Sequence, residues 1–195
     1  MSSIDHSNLS LLEVADGLHA IAGEAQSAFG DLGARQLNWR PDANRWSVAQ
    51  CLDHLLTLNR LMLDAAGEAL NGERPHPYWR RVPLLTGVLG RALIRAVAPG
   101  APRKIKTPVR ARPAVDVGPD VVPRFVAQHR DIATWLRTVD ESHAAGAIMT
   151  SPFSRFVAYS VLNGCRLMLA HDRRHLAQAH RITRSPGFPV EPPGA

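Results

Sequence analysis

Apolar positions recur at three- and four-residue steps in four long stretches of the chain, the spacing of one face of an α-helix. In the first stretch, Leu11, Val14, Leu18, Ile21, Ala25 and Ala28 share a face. Ser10 with Glu13 three residues on is a capping box, which predicts a helix start at Ser10, and Gly30 and Gly33 predict its end. The second stripe is Cys51, His54, Leu58, Leu61, Met62 and Ala65; Ser47 with Gln50 predicts its start, Trp46 stands at the hydrophobic-staple position, and Asn71-Gly72 stops it. The third follows Asp120 as N-cap and runs through Val122, Phe125, His129, Ile132, Leu136 and Val139. The fourth begins at Ser160 and ends near Thr183, with a core face of Val161, Gly164 or Cys165, Met168, His171, His175, Ala179 and Ile182.

Proline placement separates these stretches into two pairs. Prolines crowd between Glu73 and Pro123 and are sparse on either side, so the middle is a connector and the flanks are free to be helical. The connector holds one shorter amphipathic piece, "LLTGVLGRALIRAVA", before Pro99. "PVRARPAVDV" shows some alternation, but its prolines argue against a central strand. The pattern predicts an all-α fold, a four-helix bundle with a long crossover connection between the second and third helices. It forms a single domain over residues 1–184, with the connector at 71–120 and a loose tail at 185–195.

Composition narrows the class without changing this picture. A chain of 195 residues with 45% apolar content can bury a core of its own. No apolar run reaches the roughly 18 residues that span a bilayer, so no membrane association is expected. The stretch "MSSIDHSNLSLLEVADGLHA" has no early basic cluster of the signal-peptide kind, and a cytoplasmic location is expected. Cys51 and Cys165 are too few for a disulfide scaffold and form no CxxC pair; each reads as a small apolar residue in a reducing compartment. The net charge of +6 comes nearly all from arginine. With no run of four basic residues and few aromatics among them, nucleic acid is not the expected partner.

The histidines carry the candidate chemistry. His171 and His175 are one helical turn apart, a spacing by which one helix can offer two nitrogens to a metal ion. The same spacing on a surface would mean nothing, but Met168, Ala179 and Ile182 put this pair on the core-facing stripe. His54 is on the buried stripe of the second helix, so three inward histidines from two helices meet the minimum for a metal site with open positions. His180, about 140° around the helix from His175, reads as solvent-facing. His129 sits on an apolar stripe, where a bond to a carbonyl competes with a supporting role at the metal. Asp53 and Asp172 each precede a candidate ligand and should not share its face; Asp172 could orient an imidazole of another helix. His6, His19, His76 and His143 have no supporting pattern.

"LNWRPDANRWSVAQCLDHLLTLNRLML", from Leu37 to Leu63, and "YSVLNGCRLMLAHDRRHLAQAHRI", from Tyr159 to Ile182, resemble the DinB/YfiT-like family. The first matches that family's Pro and Trp-Ser loop leading into a helix with one ligand histidine. The second matches its last helix with the His-x3-His pair, and "KIKTPVRARP" looks like the segment before its third helix. The resemblance implies a four-helix bundle that binds a divalent metal, often zinc or nickel, through His54, His171 and His175. It also implies homodimers in many members, and a small-molecule substrate. Relatives of this kind include low-molecular-weight-thiol S-transferases and a thiol-dependent isomerase, and others are described as metal-dependent hydrolases.

Three neutral imidazoles leave a divalent ion's charge uncompensated, which favours a thiolate over a thiol or hydroxide over water. The ligand set alone therefore leaves a thiol transferase, a hydrolase and a non-catalytic metal-binding stress protein open. Arg60, Arg173 and Arg174 are near the motifs and could clamp a carboxylate, although the helical count turns Arg173 and Arg174 away from the ligand face.

Overall fold

Serines open three of the long helices, and each does so by the chemistry its sequence predicts. Ser10 Oγ accepts from the Glu13 N–H while the Glu13 carboxylate accepts from the Ser10 N–H, closing the box that starts α1 (Leu11–Phe29). Ser47 and Gln50 do the same at the start of α3 (Val48–Leu70), and Ser160 accepts from the Asn163 N–H at the start of α7 (Val161–Thr183). Asp120 stands at the N-cap of α5 (Val121–Leu136) without a side-chain cap bond. The computed structural model that shows this describes residues 6–73, 83–99 and 107–190.

Those four helices form the bundle. α1 packs on α5 and α7, and α3 packs on the same two, so α1 and α3 face each other across a diagonal. The predicted stripes are the buried ones: Val14, Leu18, Ile21, Phe125, Ile132, Leu136 and Met168 are all 2% exposed or less. α3 is buried well beyond its stripe, with Leu52 and Leu55 also at 0%, because α2 (Ala34–Asn38) and the turn at Val109–Ala111 cover it as well as α5 and α7. The amphipathic piece of the connector is α4 (Pro83–Val97), which lies against α7.

Three elements escape the periodicity because they are too short to carry it. These are α2, α6 (Glu141–Gly146, capped by Asp140) and a hairpin of β1 (Ile148–Thr150) and β2 (Ala158–Ser160), paired antiparallel with Met149 opposite Tyr159. Two glycines let the hairpin and α4 close on α7. A Cβ on Gly164 would come within 2.6 Å of the Met149 sulfur, and one on Gly90 within 2.8 Å of the Asn163 side chain. The tail is also more ordered than expected. Phe188 packs edge-on against Trp39, and Gln36 Nε2 donates to the Pro189 carbonyl, so residues 185–190 are held and the expectation of a loose tail does not apply to them; 191–195 lie outside the described residues. Among the described residues no helix is long and apolar enough to cross a membrane.

Candidate metal centre

α3 and α7 are neighbours, and their inward stripes bring His54, His171 and His175 together. One nitrogen of each lies within 4.8 Å of the other two. The ring centroids are 5.2 Å apart for His54 and His171, 4.8 Å for His54 and His175, and 4.5 Å for His171 and His175. Burial pushes all three imidazoles below their ordinary pKa, His171 well below and His175 to about 3; neighbouring imidazoles and Arg174 add to the effect at His171 and His175, while the Ala111 carbonyl, Asp172 and Asp53 oppose it at His54. Neutral rings keep the lone pairs that a metal needs.

The fit to a cation is visible in the hydrogen bonds. His54 Nδ1 faces the Ala111 carbonyl, which can only accept, so Nδ1 carries the proton and Nε2 keeps the lone pair. The Nδ1 atoms of His171 and His175 are buried without a hydrogen-bond partner. Buried polar atoms are normally satisfied, so a cluster of neutral imidazoles with unspent nitrogens suits a bound divalent ion.

α3 fixes its own histidine by gripping the segment before α5. Gln50 Nε2 donates to the carbonyls of Ala114 and Val115 at 3.0 and 3.2 Å, and Asp53 accepts from the Ala114 N–H at 3.0 Å. Gln50, Asp53 and His54 thus hold residues 111–115 as a unit, and that unit orients the His54 ring. Asp53 lies outside the cluster, as its phase requires. Trp46 packs against the other side of the site, 4.9 Å from His54 and stacked on His175 at 5.5 Å. It shields the imidazoles as well as opening α3.

His129 is not part of the cluster. It lies in the bundle's centre at 0% exposure with Asn59 and Asp172, also at 0%. His129 Nδ1 faces the Phe125 carbonyl at 2.9 Å and so bears a proton, while Nε2 meets Asp172 Oδ2 at 3.0 Å, which places one further proton between them. Asn59 donates to the same carboxylate oxygen at 3.0 Å. His129 bonds a carbonyl, as a core histidine does, and pairs with Asp172 of α7. Asp172 orients an imidazole of another helix.

A cavity of about 930 Å³ opens onto the three histidines, walled by α3, α4, α7, the 151–157 loop and Pro108. Arg174 and Arg181 line it, which corrects the reading that turned Arg174 away. Arg174 is three residues after His171, or only about 60° around the helix from it. Arg173 does point away and pairs with Glu24 at 2.8 Å. Arg60 is on the exposed face of α3 and is not among the cavity's lining residues. His180 is apart from the cluster but not simply in solvent: it bonds Glu24 at 2.8 Å and packs on Phe29 at 5.1 Å. Cys51 and Cys165 are buried, their thiols pushed up by desolvation, Cys165 to about 12, as expected of small core residues. His76 lies outside the described residues.

The sequence reading missed Asn59, the Ala111 carbonyl and Arg181. Arg181 had a signal, since it follows Arg174 by about two helical turns; Asn59 had only its place among leucines. A family model described as the DinB superfamily matches residues 18–179. No curated protein and no solved structure matches the chain.

Proposed function

The chain belongs to the DinB superfamily, and on that premise we propose that it is a metal-dependent enzyme that transfers a low-molecular-weight thiol to an electrophile. The observation that carries the reading is the His54–His171–His175 cluster on the wall of a cavity that, among the described residues, is lined by no Asp or Glu. A divalent ion such as zinc or nickel held there supplies the positive charge that stabilises a thiolate against its thiol.

The residues around the cluster suit such a reaction. Neutral imidazoles do not compete with the thiolate for the ion's charge, as a ligand carboxylate would. Trp46 and the apolar side chains Leu58, Met62 and Leu93 exclude water from the reacting sulfur. Tyr159, its hydroxyl raised to about 12 by burial and donating to the Met62 sulfur, stays protonated. The volume is at the upper end of small-molecule pockets, room for two reactants side by side. In the transfer the thiol proton leaves to solvent, the S–C bond forms, and the bond to the leaving group breaks. A hydrolase at the same centre would lack a carboxylate in the cavity wall to take the proton from water.

The test is turnover of a panel of electrophiles with bacillithiol, mycothiol, glutathione or coenzyme A, run beside esters and amides without thiol. Metal-dependent conjugation with one of the thiols is expected. Hydrolysis without thiol, or no turnover by protein shown to hold metal, would overturn it.

A further inference from the structure

The cavity wall is cationic in a specific way. Its lining includes Arg45, Arg174 and Arg181 and, among the described residues, no acidic side chain. Arg45 is at the rim, already paired with Asp42 at 3.1 Å and largely exposed. Arg174 and Arg181 differ from it. They are seven residues apart on α7, one above the other and about 10.5 Å apart along the axis, on the same flank of the stripe that carries His171, His175 and Gln178. Arg174 is braced by donating from Nη1 to the Ala98 carbonyl just past the end of α4.

The surroundings repeat the sign. Between Arg74 and Val115 the chain has ten Arg and Lys and no Asp or Glu, more than its whole net charge of +6. Of these, Arg91, Arg95, Arg110 and Arg112 are exposed on the described parts of the connector that walls the cavity. A segment charged with one sign attracts anions. Part of the lining is apolar, with Leu58, Met62, Phe153 and Val157.

We propose that the cavity takes a ligand with an apolar body and a carboxylate, the carboxylate bound by Arg174 and Arg181 and the body laid on Leu58, Met62, Phe153 and Val157. The guanidinium fork matches a carboxylate's two oxygens, and the apolar wall rewards a body that a small inorganic anion lacks. The inference deepens the reading of the same site as a thiol transferase, and the carboxylate can belong either to the thiol or to its acceptor.

Titration calorimetry tests it on metal-free and zinc-loaded protein. The probes are 3-phenylpropanoate against 3-phenylpropanamide for the acceptor, and N-acetylcysteine against its amide for the thiol. One of the two carboxylates should bind about tenfold or more tightly than its amide in the metal-free protein. The gap should narrow as salt is raised, and Arg181→Gln should close most of it. Because Arg181 is exposed, that variant keeps its fold even where Arg174→Gln disturbs the end of α4. The pair that shows the gap identifies which reactant carries the carboxylate. Equal affinity of acid and amide in both pairs, no binding of any probe, or a gap untouched by Arg181→Gln and Arg174→Gln would each overturn the inference. Metal uptake measured alongside separates the two claims: uptake without a carboxylate preference removes only this one, and a preference without uptake removes only the metal reading.

Discussion

At the scale of single residues, phase decides what a histidine does. His171 and His175 are legible in the sequence because apolar neighbours fix the face they occupy, and His54 because its helix has a strong start signal. Their neutral state is not legible, since it comes from burial by segments far away in the chain. It has a measurable consequence. His175 is pushed down to about 3 in the fold, while in the unfolded chain it titrates near 6.5, at about its ordinary value. Between those values the unfolded chain holds the proton and the native state does not. Metal-free protein should therefore lose stability as pH falls below about 6.5, by up to about 1.4 kcal/mol per pH unit for each such histidine. Denaturant unfolding of wild type and His175→Gln from pH 7.5 to 4.5 checks this. The variant should show the shallower acid slope; parallel curves would mean that His175 is not held neutral.

At the scale of elements, the capping boxes at Ser10 and Ser47 made the helix starts readable, whereas the elements that complete the site were not. The turn that presents the Ala111 carbonyl has no periodicity, and what holds it is a set of bonds from Gln50 and Asp53 across sixty-odd residues. The same is true of the central polar contact. Asn59, His129 and Asp172 come from α3, α5 and α7, and only the assembled bundle brings them together. Because all three are at 0% exposure, Asp172→Ala should destabilise the protein by about 3 kcal/mol or more, by leaving His129 buried without its partner. The urea midpoint reads this directly, and a loss under about 1 kcal/mol, the worth of an exposed pair, would show that the cluster does not tie the helices.

For the whole molecule, the bundle and its long crossover follow from four stripes and a proline-rich middle. The charge of that middle was harder to see. Its basic residues are spaced among apolar ones, so no run stands out, and only the folded connector brings α4 and Pro108 to the cavity that α7's arginines line. What unites the scales is a cavity whose chemistry centres on three neutral imidazoles, and the most direct test is the metal content of purified protein. Elemental analysis should find about one divalent ion per chain in wild type. His171→Ala should lose the ion, and His180→Ala, which alters only the contact with Glu24 and Phe29, should keep it. Equal metal in the two variants, or none in wild type after growth with zinc and nickel, would contradict the account.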